Sequence, residues 1–143
     1  MYLDTAILVK LVIKEPDSLF YADLVDDQTS VWSSQVALTE CWSALCRKKQ
    51  EGEIDSLTRR TAWDMVESHI RDGSLRLQPV IEPILRRANA IIEQCLPRVP
   101  VRTLDAIHLA SCELSGAYPL MTNDRVMRKA AECLNIPLGP VRE

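Results

Sequence analysis

Four carboxylates stand where a folded domain does not ordinarily place them. Asp4 interrupts MYLDTAILVK, in which Leu3, Ile7, Leu8 and Val9 read as the first element of a core. Glu40 lies in QVALTECWSAL. On a helix its neighbours three and four positions away are Val36, Ala37, Ser43 and Ala44, a small and mostly apolar face. Asp105 sits in RTLDAIHLASCEL, a helix apolar nearly all round and therefore expected to be buried. Asp124, in YPLMTNDRVMRKAA, follows a strand and opens a helix, as Asp4 does. A buried unpaired charge is costly, and converging carboxylates repel unless a cation neutralises them. Hard oxygen ligands suit Mg²⁺ or Mn²⁺. A carboxylate cluster holding one or two such ions is a known solution for phosphodiester hydrolysis.

Each acid also has a plainer account. Asp4 and Asp124 fit as helix N-caps. Asp105 sits in a first turn, where the helix dipole favours an anion. Glu40 fits as a rim residue with its stem on the core. It is the set that points to a metal site. Three of the four fall at junctions leading into helices, and a parallel sheet aligns such junctions along its carboxyl edge. Other acids, among them Glu51, Glu53, Asp64, Glu67, Asp72 and Glu93, occupy polar stretches and read as solvated.

The elements that must position these residues alternate along the chain. Residues 1–4 read as a short strand, followed by a helix from Thr5 to about Ile13 that stops at Glu15 and Pro16. Asp17 and Ser18 suit the start of a helix running to Asp26. A strand at Ser30–Ser33 leads to a helix from Gln35 to about Gln50, with Ser33 or Ser34 as its cap. A helix from Asp55 to about Arg71 ends at Asp72 and Gly73, and Leu75–Val80 reads as a strand. Helices follow at Glu82–Cys95 and, capped by Thr103 and stopped by Gly116, at Leu104–Leu114. The chain closes with a strand at Tyr118–Met121, a helix at Asp124–Leu134 and an edge strand at Ile136–Val141, where prolines are tolerated. Such alternation predicts an α/β domain with a mostly parallel sheet covered on both faces.

The chain has 143 residues, 47% hydrophobic and 26% charged, which fits one folded domain over residues 1–143 and excludes wholesale disorder. No apolar run approaches the roughly 20 residues of a membrane span. The opening has no basic-then-apolar leader, so no secretory signal is expected. Five cysteines without C-x-x-C spacing and only two histidines argue against zinc. The cysteines read as small apolar residues in a reducing, cytoplasmic setting. A passive nucleic-acid binder is usually basic, whereas this chain has a net charge of −3, so cations would have to help at any such contact.

Four stretches carry a resemblance: YLDTAILVKLVIKEP, SSQVALTECWSAL, RTLDAIHLASCEL and LMTNDRVMRKAAECLNI. In order and setting they resemble a PIN domain of the VapC-like toxin ribonucleases, over essentially the whole chain. The opening D-T/S-x-x-L/I-V-K block and the L-D-A-I-H-L-A block are the most specific. The resemblance implies a three-layer α/β/α sandwich around a mostly parallel sheet and an acidic Mg²⁺ or Mn²⁺ site that cuts single-stranded RNA. It also implies a cognate antitoxin protein and a homodimer. By the resemblance, Asp4, Glu40, Asp105 and Asp124 form the catalytic and metal-binding set, with Thr5 and Thr122 in support. Asp4 and Asp105 would be the main ligands, while Glu40 and Asp124 would act through water or orient the nucleophile. Residues 52–98 carry little of the family's signature.

Several side chains remain to be placed. Lys10 is a candidate phosphate contact, or a solvated helix lysine. His108, three positions after Asp105, reads as a core histidine bonded to backbone rather than a general base. Trp42 and Trp63 read as core or interface packing, and Trp32 as a residue that could stack on a base. The run Arg47-Lys48-Lys49 and the pair Arg59-Arg60 read as solvated faces on which an RNA backbone could rest. An alternative is a non-catalytic PIN-like module binding RNA or protein, which the presence of all four acids disfavours. A phosphoryl-accepting α/β domain would want a D-x-D motif, where this chain has Asp4-Thr5-Ala6.

Overall fold

The computed structural model describes residues 1–142. Its strands form one sheet in the order β3-β2-β1-β4, with every pair parallel. The strands are β1 (Tyr2–Leu3), β2 (Val31–Ser34), β3 (Leu75–Gln78) and β4 (Leu120–Met121). A parallel pair needs a crossover, and helices supply each one. They are α1 (Thr5–Val12) and α2 (Ser18–Asp26), then α3 (Ala37–Gln50) and α4 (Ser56–Asp72), then α5 (Glu82–Cys95) and α6 (Thr103–Ser115). The last helix, α7 (Arg125–Cys133), follows β4.

The layering follows from strand periodicity, which sends successive side chains to opposite faces. Tyr2 and Leu120 enter a core with Ile84, Ile91, Leu109 and Ala130, from α5, α6 and α7. Their neighbours Leu3 and Met121 enter a second core with Ile7, Cys41, Leu45 and Val66, from α1, α3 and α4. The fold is thus a three-layer α/β/α sandwich around a parallel sheet.

Local signals set many of the boundaries. Asp55 caps α4, accepting from Thr58 N at 2.7 Å, and Gly73 ends it at φ 80°, a conformation L side chains rarely adopt. Gly116 ends α6 in the same way at φ 63°. Two expected caps are not made. α3 begins at Ala37 rather than Gln35, and Ser34 Oγ is only a 3.4 Å acceptor for Val36 N. Ser33 is drawn instead into the sheet, where its hydroxyl donates to Leu3 O at 2.8 Å and ties β2 to β1. Thr103 is the first helical residue of α6; Arg102 takes the cap position without a side-chain bond.

The expected last strand shrinks to a single parallel bridge between Leu120 and Leu138. Pro137 and Pro140 have no N–H to extend it. The bonds that remain run from Leu120 N to Pro137 O at 2.8 Å and from Gly139 N to Leu120 O at 2.9 Å. A Cβ at Gly139 would run into Met121 Sδ, so the tail lies tight against β4. All five cysteines are free, three of them buried. Trp42 and Trp63 meet edge to face at 5.2 Å, with the Arg59 guanidinium over Trp42. Among the described residues no helix is long and apolar enough to cross a membrane.

Candidate active site

Asp4 and Asp124 leave the same end of the sheet because β1 and β4 are adjacent, parallel and in register, with Leu3 opposite Met121; Asp4 comes one residue after that pair and Asp124 three. Asp4 N donates to Met121 O at 3.1 Å as the strands end. Each acid then caps the helix that follows. Asp4 Oδ1 accepts from Ile7 N at 2.9 Å, and Asp124 Oδ1 from Met127 N at 2.7 Å. The plainer reading of these two residues is therefore realised, and it coexists with their place at the sheet's carboxyl edge. A cap engages one oxygen of a carboxylate that has two.

Asp105 lies in the first turn of α6 and Glu40 in the first turn of α3. Asp4 is only 4% exposed. Burial pushes its carboxyl up, and the nearby charge of Asp124 adds to the rise. The Thr122 hydroxyl, the Ile7 amide and His108 favour its charged form without cancelling that rise. Asp105 is raised by the same two causes, burial first and then Asp124. Asp124 thus acts on both. Thr122, 1% exposed, also receives the Asp124 amide at 3.1 Å and fixes the turn into α7.

Glu40 joins the group through other side chains. Thr5 Oγ1 donates to its Oε1 at 2.8 Å, and His108 Nε2 lies 2.6 Å from the same oxygen. Burial alone would raise the Glu40 carboxyl. The His108 hydrogen bond and charge, with the Thr5 hydroxyl, outweigh burial and hold it below its ordinary value. His108 is 2% exposed, as a core histidine should be, but its partners are side chains rather than backbone. Its Nδ1 faces the Tyr2 hydroxyl at 2.9 Å. His108 and Tyr2 are the residues that sequence reasoning left outside the site. The spacing to Asp105 was the available signal, yet the ring reaches Glu40, 68 positions away.

The donor chemistry fits a hard divalent cation. The donors are all carboxylate oxygens, two of the acids are pushed up by burial and mutual repulsion, and no lysine or arginine pairs with any of the four among the described residues. What the structure brings together is pairwise: among the described residues, no three His, Cys, Asp or Glu side chains close into a ready-made cage.

A groove of about 410 Å³ opens beside Glu40, lined also by Thr5, Lys10, Glu15, Arg47, Lys48 and Asn123. Lys10 is not a free cation there. Its ammonium lies 2.8 Å from Glu15 and 2.7 Å from Asp17, and only 12% of its side chain is exposed. Lys48 reaches Glu15 at 3.0 Å and Glu53 at 2.9 Å. A phosphate would have to compete with carboxylates for either lysine, whereas Arg47 lines the groove without an ion pair among the described residues.

Comparison with known proteins covers all four acids. The family model described as PIN domain matches residues 1–132. Over 141 residues the chain is 30% identical to Ribonuclease VapC35 of Mycobacterium tuberculosis, in both strain CDC 1551 / Oshkosh and strain ATCC 25618 / H37Rv. The alignment spans 95% of this chain and 93% of the relative. The order of the elements, two acids leaving the same end of the sheet and a relative matched nearly end to end agree: the chain belongs to the PIN domain family, among its VapC-like members.

Proposed function

We propose that this protein is a metal-dependent endoribonuclease, the toxin of a toxin–antitoxin pair, in which Asp4, Glu40, Asp105 and Asp124 hold Mg²⁺ or Mn²⁺. The observation that carries the reading is Asp4. It is a carboxylate buried at the carboxyl edge of a parallel sheet, raised by burial and by a neighbouring acid, and joined to no lysine or arginine among the described residues. A protein site left in that condition is suited to a cation from solution. The similarity to Ribonuclease VapC35 supports RNA as the substrate class and an antitoxin protein as partner; the cytoplasmic setting and the homodimer belong to the proposal through the family resemblance alone.

Asp4 and Asp105 would be the principal ligands, with Glu40 and Asp124 acting through water or orienting the nucleophile. Bound there, the ion would polarise the scissile phosphate, lower the pKa of an attacking water and stabilise the leaving oxygen. The chain's own contribution is placement. Helix caps fix Asp4 and Asp124, and Thr5 holds Glu40. Arg47 offers a phosphate contact in the groove beside Glu40.

The test is cleavage of a labelled RNA pool with Mg²⁺, with Mn²⁺ and with chelator, comparing wild type with Asp4→Asn. Asparagine caps a helix about as well as aspartate but removes the charge. Cutting that needs metal and vanishes in the variant supports the proposal. Cutting that persists in chelator, or in the variant, overturns it. Metal binding without cutting of any RNA would favour the non-catalytic module.

A further inference from the structure

Glu40 differs from Asp4 and Asp124 in how it is held. Those two are fixed by backbone amides of their own helices, while Glu40 has a longer side chain whose hydrogen bonds come from other elements. Both fall on Oε1, from Thr5 at the start of α1 and His108 in α6. A carboxylate oxygen only accepts, so His108 Nε2 must carry a proton. Thr5 Oγ1, whose own proton goes to Glu40, lies 3.2 Å from Nε2 and can accept from it as well. At the far side of the ring the Tyr2 hydroxyl reaches Nδ1 at 2.9 Å, and the two rings meet edge to face at 81°. The Tyr2 hydroxyl can donate to Nδ1 or accept from it, and in either case it fixes the orientation of the ring. Tyr2 is fully buried in β1, so this end of the chain of contacts is anchored in the sheet.

We propose that His108 is a positioning residue: oriented by Tyr2, it donates Nε2–H to Glu40 Oε1 and keeps Oε2 available at the site. The proposal rests on the metal-nuclease reading above. The alternative for an untethered Glu40 is visible in the same groove. Lys10, Arg47 and Lys48 line it with Glu40, and a freed carboxylate could pair with one of them instead of serving a cation. His108 thus does for a carboxylate what an outer hydrogen-bond partner does for a metal-bound histidine: it sets which atom faces the ion.

The first measurement is on metal-free wild-type protein. Long-range ¹H–¹⁵N spectra of the imidazole should show a proton on Nε2, with the Nε2 signal moving on Glu40→Gln. A ring protonated on Nδ1 alone, or an Nε2 signal indifferent to Glu40→Gln, overturns the proposal. The second is Mn²⁺ affinity, read from the resonance of free Mn²⁺ during titration, with folding followed by thermal melts. His108→Leu should weaken binding about 10–100-fold. His108→Gln, whose amide can donate from near the Nε2 position, should recover most of the loss. Tyr2→Phe removes only the hydroxyl and should weaken binding about threefold; it decides the matter if the leucine variant fails to fold. A folded His108→Leu protein that binds Mn²⁺ as wild type does, or a glutamine variant no better than the leucine one, overturns the role. Wild-type protein that binds no Mn²⁺ instead overturns the metal reading, while the imidazole spectrum still decides whether His108 holds Glu40.

Discussion

Two polar clusters solve the same electrostatic problem in opposite ways. In the first, Glu15 and Asp17 meet Lys10, and Lys48 bridges Glu15 to Glu53. The lysines more than offset burial for Glu15 and hold Asp17 below the ordinary carboxylate value, while both lysines are raised. In the second, Asp4 and Asp105 are pushed up by burial and by Asp124. The first cluster is complete in itself and reads as structure. In the second, no lysine or arginine among the described residues pairs with either acid. Glu40 lies between, lowered like the acids of the first cluster but through His108 and Thr5 rather than a lysine.

The largest effect should come from removing charge where none is balanced. Outer hydrogen-bond partners of a metal are worth about 10–100-fold, so the ligand itself should be worth more. Asp4→Asn should cut metal-dependent cleavage by more than about 100-fold, measured as initial rate on RNA. Comparable loss from Lys10→Gln would erase the distinction between the clusters.

Stability against pH separates them next. Carboxyls raised in the folded state oppose folding once charged. Asp4 and Asp105 therefore take stability away as pH rises from their ordinary value of 3.8 through the raised one. Glu15 and Asp17, being lowered, contribute stability above their ordinary values of 4.5 and 3.8, and that contribution is lost as pH falls through the lowered ones. In metal-free urea unfolding, Asp4→Asn should match wild type at the acid end and become the more stable of the two as pH rises. The opposite ordering near neutrality would mean that the protein already neutralises Asp4.

Lys10→Gln strands Asp17 and leaves Glu15 with Lys48 alone, and should cost about 1 kcal/mol of unfolding free energy. Its effect on cleavage should stay within about threefold, about the worth of one net hydrogen bond. A much larger rise in KM with a shallower salt dependence would instead restore Lys10 as a phosphate contact. Lys48→Gln should be the mildest, about 0.5 kcal/mol, because Glu15 keeps Lys10 and Glu53 lies mostly in solvent.

Much of this was legible in the sequence, and the reason is local. Asp4 and Asp124 announce themselves because each ends an apolar strand and begins a helix, so one residue shows both the cap and the sheet edge. Gly73 and Gly116 mark helix ends by their own backbone freedom. What stayed hidden depends on pairing across the chain. Nothing in LDAIHLA says that His108 will reach Glu40 on one side and Tyr2, 106 positions away, on the other. Lys10 looked like a cation for phosphate because its partners, Glu15 and Asp17, lie past the end of its helix. Ser33 had the composition of a cap, but the neighbouring strand offered its hydroxyl a buried carbonyl.

The family model stops at residue 132, yet the residues after it do work for β4. Pro137 and Gly139 satisfy both backbone groups of Leu120, and the Gly139 carbonyl in turn receives Arg128. A chain ended at that boundary would leave one side of β4 with a bare N–H and C=O. Such a strand is a template for another chain. The short proline-rich segment is therefore a selvedge: it finishes the sheet along β4, the strand that leads to Asp124, so that this lateral margin does not become a place where copies of the protein zip together.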